Sequence, residues 1–204
     1  MSETRTERFP TAIIALGGNL VYDGDQPSSI LLTALQALTS AGLVIDACSR
    51  FFRTPAFPPG SGPDFVNASA RLIIGERGPS EVLSLLHDVE AKLGRNRLER
   101  WAPRTCDLDL LALDDRILPD PATLMAWMQL DPAAQRERAP DTLVLPHPRL
   151  HERAFVLVPM CDVAPDWRHP VLGITVSQML DALPEVERAE IVALEPGAEK
   201  ARFP

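Results

Sequence analysis

The chain has 204 residues, 46% of them hydrophobic, which is enough for one domain with its own core. A formal charge of −8 excludes bulk electrostatic binding of nucleic acid as the main activity. No apolar run approaches the roughly 20 residues of a membrane span, and Met1 to Arg8 lacks an apolar signal core, so a soluble, cytoplasmic protein is expected.

Cys48, Cys106 and Cys161 are odd in number, widely spaced and without a Cys-x-x-Cys pair, which points to reduced thiols rather than disulfides or zinc. Thr11 to Leu16 reads as a short apolar strand that ends on Gly17-Gly18-Asn19, where glycine permits a sharp exit or a close approach. The phosphate-loop pattern Gly-x-x-x-x-Gly-Lys-Ser/Thr is absent. Ser28 and Ser29 offer N-cap chemistry for a helix with Leu31, Ala34, Leu35 and Leu38 at helical spacing, stopped by Gly42. Leu43 to Arg53 reads as a second strand, and Thr54 to Pro63 as a loop punctuated by proline and glycine. The third strand, Asp64 to Ile74, alternates. Val66, Ala68, Ala70, Leu72 and Ile74 share a face suited to a covering helix, and Phe65, Asn67, Ser69 and Arg71 share the other.

Gly78-Pro79 opens a second helix whose apolar stripe is Val82, Leu85, Leu86, Val89 and Leu93, with Gly94 as its stop. A fourth strand over Leu108 to Leu113 carries Asp107 and Asp109, and Asp114-Asp115 turns it into a short segment, Arg116 to Leu118. Strand-helix-strand-strand-helix-strand is the split βαβ order. It predicts an α+β, ferredoxin-like sandwich, a mainly antiparallel sheet with helices on one face and the active site on the other. Residues 119–141 read as an insertion with a short helix over Ala122 to Leu130, and Leu157 to Met160, Trp167 and a helix near Thr175 to Leu183 finish the fold. The chain divides into a flexible N-terminus (1–10), one domain (11–183) and a loosely held C-terminal tail (184–204).

The stretch from Glu90 to Asp109 concentrates the chemistry. It holds Arg95, Arg97, Arg100 and Arg104, then Trp101, then the two aspartates. In a strand, side chains i and i+2 point the same way at roughly 6.5–7 Å, so Asp107 and Asp109 can share a pair of Mg²⁺ ions held about 3.5–4 Å apart. Mg²⁺ takes carboxylate oxygens, water and the oxygens of a substrate phosphate, and guanidinium forks match phosphate. Separately, an Asp-x-Asp pair is more often a solvated sheet face, an Arg-rich loop a solvated surface and a lone Trp core filler. Their combination in one short segment points to nucleotide phosphoryl transfer. His147, Arg149 and Arg153 form a second candidate phosphate site, and Glu90 lies at the edge of its helix stripe near the arginines. A palm-like nucleotide cyclase or polymerase would also carry two aspartates on such a sheet. An RNA-binding module of similar shape lacks support, because only 5% of the residues are aromatic and the stacking motif is missing.

Five motifs carry a resemblance. They are A-L-G-G-N-L (Ala15 to Leu20), F-F-R-T-P (Phe51 to Pro55), P-D-F-V-N-A (Pro63 to Ala68), G-R-N-R-L-E-R-W-A-P-R-T-C-D-L-D-L-L (Gly94 to Leu111) and L-P-H-P-R-L-H-E-R-A-F (Leu145 to Phe155). With these the chain resembles the 6-hydroxymethyl-7,8-dihydropterin pyrophosphokinase family of folate biosynthesis, from about Ala12 to Trp167. The resemblance implies transfer of the β,γ-diphosphate of ATP to the pterin hydroxymethyl group, releasing AMP. It implies two Mg²⁺ ions on Asp107 and Asp109, and Arg95 and Arg104 on the transferring group. Arg97, His147 and Arg153 would join them around the triphosphate, with Glu90 near the nucleotide. Thr54, Pro55, Phe57 and Asn67 would line the pterin pocket, the ring stacking between Phe65 and Phe155 under Trp101. Partners would be two small molecules, with no nucleic acid and no membrane, for a monomer or weak dimer. The chain departs from the family at Gly18, where Ser is usual, at Ala102, where Gly is common, in Val21 to Pro27, and in the 119–141 insertion.

Overall fold

The structure, a computed structural model, describes residues 9–56, 62–94 and 104–195. In chain order its elements are β1 (Thr11–Gly18), α1 (Pro27–Ser40), β2 (Val44–Cys48), β3 (Phe52–Thr54), β4 (Phe65–Ile73), α2 (Pro79–Lys92), β5 (Asp107–Leu113), α3 (Pro121–Met128), α4 (Pro132–Glu137), α5 (Ala154–Val163), α6 (Val176–Ala182), α7 (Glu185–Ala189) and β6 (Val192–Ala193). A 3₁₀ turn at Leu150–Glu152 precedes α5.

Strand alternation divides the sheet into two faces. Ala12, Ile14 and Leu16 of β1, Ala68, Ala70 and Leu72 of β4, and Leu108 and Leu110 of β5 are buried on one of them. There α1 covers them with Leu31, Ala34, Leu35 and Leu38, and α2 with Val82, Leu86 and Val89, apolar side chains recurring every three or four residues. Both helices begin on proline, whose missing N–H costs nothing in a first turn. Helix α1 starts at Pro27, with Gln26 as its N-cap, so Ser28 and Ser29 lie inside the first turn instead of capping it. Helix α2 starts as Gly78-Pro79 predicts, with the Glu81 carboxylate accepting the Gly78 N–H at 2.7 Å.

Every strand pairing is antiparallel, and β1 lies between β5 and β4, with β2 and β3 beyond β4. This is the ferredoxin-like α+β arrangement expected from the order of elements. The second strand, read as continuous from Leu43 to Arg53, is broken into β2 and β3. Ser49 sits at the break, its hydroxyl accepting the Ser69 N–H at 2.9 Å and donating to the Arg50 carbonyl at 2.6 Å.

Helix α5 is unexpected, because Pro159 lies inside it and an internal proline removes a hydrogen bond and crowds the preceding turn. Packing overrides that local penalty. Val156, Leu157, Met160 and Val163 are buried against Ile13, Leu111 and Ala112, together with Val176 and Met179 of α6. The two helices therefore cover part of the face opposite α1 and α2, and the rest of that face carries Gly17, Asn67, Asp107 and Asp109.

Residues 119–141 hold α3 and α4, begun by Asp120 and Asp131, whose carboxylates accept N–H groups of the first turns at 2.9–3.0 Å. Leu118 and Leu145 exchange backbone bonds of 2.8 and 3.0 Å across the base of this segment, so it leaves and returns at one point. The loose tail expected after Pro184 is corrected as far as Leu194: α7 leads into β6, which pairs with β3, and the Leu194 N–H donates to the Phe51 carbonyl at 2.8 Å. Among the described residues no helix is long and apolar enough to cross a membrane.

His169 is fully buried, its Nδ1 accepting the N–H groups of Val171 and Leu172 at 3.2 Å. Burial, and then the neighbouring His151, push its pKa down to about 4. An unfolded imidazole titrates near ~6.5, so between that pH and the folded value the unfolded chain binds a proton the folded one refuses. Stability therefore falls as the pH drops through this window. His169→Asn, which keeps an acceptor near Nδ1, should flatten that part of the pH dependence in thermal melts. An unchanged slope would contradict the assignment.

Candidate active site

The site is assembled by the register of β1. Gly17 lies opposite Asp107 on β5 and Asn67 on β4, and Ala15 opposite Asp109 and Ser69. Directly opposed residues of an antiparallel pair share a face, so the two aspartates and Asn67 lie on the side that α1 and α2 do not cover. A Cβ on Gly17 would come within 2.9 Å of Asn67 Oδ1, so any larger residue there would displace the Asn67 side chain. Asn67 Nδ2 donates to Thr54 Oγ1 at 2.8 Å, and Thr54 is the register partner of the half-buried Phe65. Pro55 is exposed beside them, and Phe57 lies outside the described residues.

Arg104 forms an ion pair with Asp107, both side chains part-buried. Its backbone is gripped by Asn19. The Asn19 side-chain oxygen accepts the Arg104 N–H at 2.9 Å, and the Arg104 carbonyl accepts the N–H groups of Asn19 and Leu20 at 2.9 and 3.2 Å. Asn19 Nδ2 also donates to the Pro63 carbonyl at 3.2 Å, which ties the approach to β4 into the same clamp. Gly18 makes the approach possible, because a Cβ there would sit 2.5 Å from the Thr105 carbonyl oxygen, a backbone atom. The sequence assigns Asn19 no role in the site, though it stands at the glycine-marked exit of β1 and within the A-L-G-G-N-L motif.

His147 enters from the segment after residues 119–141. Its N–H donates to the Leu111 carbonyl at 2.7 Å, and its Nδ1 accepts the Arg149 N–H at 3.2 Å, which leaves the imidazole proton on Nε2. Burial, then the charges of Arg153 and Arg149, push its pKa down to about 3, so it is neutral at physiological pH. Burial and then Arg149 pull the Arg153 pKa down to about 10, while Asp109, Glu152 and Asp107 act to raise it. Arg153 thus lies within electrostatic reach of the aspartate pair. Arg149 is neutralised by Glu152 at 2.6 Å. The Arg153 guanidinium lies 5.6 Å from the ring centre of Phe155, which is exposed in the first turn of α5.

Glu90, expected near the nucleotide, is held inside the protein beside β5. It is only 1% exposed, and its Oε1 accepts the Leu108 N–H at 2.7 Å, so it faces the edge of β5 from inside the protein. Arg95, Arg97, Arg100 and Trp101 lie outside the described residues. Two part-buried carboxylates on one strand suit a hard divalent ion that completes its shell with water and phosphate oxygens. Among the described residues no three His, Cys, Asp or Glu side chains converge as a ready-made metal cage, so an ion here would depend on ligand oxygens.

Comparison with known proteins gives a consistent result. The family model for 7,8-dihydro-6-hydroxymethylpterin-pyrophosphokinase (HPPK) matches residues 13–165. The 2-amino-4-hydroxy-6-hydroxymethyldihydropteridine pyrophosphokinase of Synechocystis sp. is 35% identical over 190 residues, covering 92% of this chain and 82% of the relative. The protein of the same name in Haemophilus influenzae is 36% identical over 156 residues, covering 76% and 82%. The crystal structure of Plasmodium falciparum HPPK-DHPS matches with a TM-score of 0.58 at 14% identity, over 85% of this chain and 44% of that one. This chain spans less than half of that longer protein, and the likeness there is one of fold.

Gly18→Ser should force the Thr105 backbone away from β1 and loosen the Asn19 clamp, at a cost of about 1–3 kcal/mol, the usual range for overpacking. Urea unfolding would measure it, and an unchanged midpoint would show that the contact is not binding.

Proposed function

Since the chain belongs to the 7,8-dihydro-6-hydroxymethylpterin-pyrophosphokinase family and is a pyrophosphokinase of folate biosynthesis, we propose that its site uses ATP and Mg²⁺ and that the residues above carry the transfer. The β,γ-diphosphate passes to the hydroxymethyl group of the reduced pterin: the hydroxymethyl oxygen bonds to the β-phosphorus, the bond from that phosphorus to the α,β-bridging oxygen breaks, and AMP and a proton are released. The observation that carries this reading is the Asp107–Gly17–Asn67 row, which sets phosphate-handling carboxylates beside an amide suited to a flat heterocycle.

Little covalent chemistry falls to the protein in such a reaction, and positioning and electrostatics do most of the work. Asp107 and Asp109 would hold Mg²⁺, which when bound supplies positive charge to the triphosphate. Arg104, kept beside Asp107 by the Asn19 clamp, is aimed where charge builds on the α,β-bridging and β oxygens, and stabilises the transition state more than the bound substrate. Arg153 adds a second cation near the aspartates. His147, neutral with its proton on Nε2, acts as a hydrogen-bond donor to phosphate and not as an acid. Asn67 gives its N–H to Thr54 and turns Oδ1 to the space over Gly17, where it can accept from the edge of a pterin. Phe65 and Phe155 supply aromatic faces for the ring, and the reading assigns further contacts to Pro55, Phe57, Arg95, Arg97 and Trp101. A cyclase, a polymerase or an RNA-binding module would have no use for this pairing of parts, and the family match supports none of them.

Incubation with ATP, Mg²⁺ and 6-hydroxymethyl-7,8-dihydropterin should yield AMP; ADP or a cyclic nucleotide would overturn the proposal. Asp109→Ala should abolish turnover with the fold intact, and near-normal activity would remove the metal role. Arg104→Ala should lower kcat by about 10²–10³-fold, the scale seen when one transition-state donor is removed, with much less effect on pterin binding. Equal losses in kcat and pterin affinity would instead mean simple substrate binding.

A further inference from the structure

Among the described residues, strand β5 is bonded to a neighbouring strand, β1, on one side only, which leaves the peptide groups of its outer edge to be satisfied by other means. In the antiparallel ladder the residues flanking Leu108 pair with β1, Asp107 with Gly17 and Asp109 with Ala15, and successive residues turn their peptide groups to opposite sides. The Leu108 N–H is turned outward, and Glu90 Oε1 accepts it at 2.7 Å. Both residues are almost wholly buried, Glu90 at 1% and Leu108 at 2% exposure. Further along the same edge the Leu111 carbonyl accepts the His147 N–H at 2.7 Å. A side-chain carboxylate and a loop peptide thus stand where another strand would be.

Burying a carboxylate against the Leu108 N–H carries a desolvation cost that a neutral acceptor there would lessen. What the charge adds is a stronger and shorter bond, roughly twice that of a neutral pair, on one particular peptide. That peptide joins Asp107 to Leu108, and any rotation of it re-aims the two side chains that flank Leu108. Given the reading of Asp107 and Asp109 as metal carboxylates, on which this rests, we propose that Glu90 is a positioning residue. By holding the Leu108 N–H it sets the relative aim of the two aspartates, and with it their affinity for a divalent ion in the nucleotide complex.

The test uses Mn²⁺ as the probe, titrated into the full chain with α,β-methylene ATP, whose methylene bridge replaces the oxygen at which the bond would break. Glu90→Ala should raise the Mn²⁺ dissociation constant by about 10–100-fold, the usual effect of removing a partner that orients a metal ligand, while pterin affinity stays at its native value. Glu90→Gln, which keeps an acceptor oxygen in the same place, should recover most of the loss. Native Mn²⁺ affinity in a folded Glu90→Ala protein would overturn the proposal, as would a Glu90→Gln protein as weak as Glu90→Ala. If Glu90→Ala does not fold, hydrogen exchange at the Leu108 amide of Glu90→Gln decides. Native protection with retained affinity supports the role, and lost protection with native affinity overturns it. Asp109→Ala is the control: if Mn²⁺ binding survives it, the metal reading falls and this inference with it. Release of ADP in place of AMP would overturn the catalytic proposal alone.

Discussion

The site depends on the register of one strand. Strand β1 is paired on both sides, and Gly17 is the single residue that faces Asp107 across one ladder and Asn67 across the other. Side chains alternate with a period of two, so a slip of one residue in either ladder would turn that partner's side chain into the helical layer. The apolar face prevents this, because Leu16 is the register partner of Leu108 and Ala68 in the core beneath α1 and α2. Burial on one face therefore fixes the chemistry on the other.

The charges are arranged under the same constraint. Arg104 is paired with Asp107 and Arg149 with Glu152, while Arg153, half-buried and close to Arg149, has its pKa pulled down to about 10 against the raising effect of the two aspartates and Glu152. His147 is kept neutral in this surrounding of cations. A polyanion entering here would meet Arg104 already anchored through its backbone by Asn19, and the neutral His147 held by the Leu111 carbonyl. Such anchoring reduces the ordering cost that binding would otherwise carry.

Where sequence and structure differ, the difference traces to contacts distant in the chain. Pro159 argues locally against a helix, and α5 forms because Ile13 and Leu111, on two other strands, bury its apolar side chains. The break at Ser49 answers to Ser69, twenty residues later. The segment after Pro184 looks loose by composition and is held by a strand edge supplied by Phe52 and Arg53. None of these partners lies within the window over which periodicity is read.

Sequence alone determined the strand and helix order of residues 11–113 apart from the break at Ser49, the faces of the third strand, the placement of two aspartates two residues apart, and the motifs that identify the family. All are properties of local spacing, to which a pleated strand or a helix gives direct spatial meaning. Tertiary structure decided what each side chain meets. Glu90 reads as an acid at the edge of its helix stripe near an arginine loop, and is turned inward, where its carboxylate accepts the Leu108 N–H at the edge of β5. Asn19 reads as a turn residue, and becomes the clamp on Arg104 because Gly18 lets two backbones approach more closely than any side chain would allow. Local pattern specifies which groups are available, whereas the pairing of buried donors and acceptors is settled only when distant segments close over them.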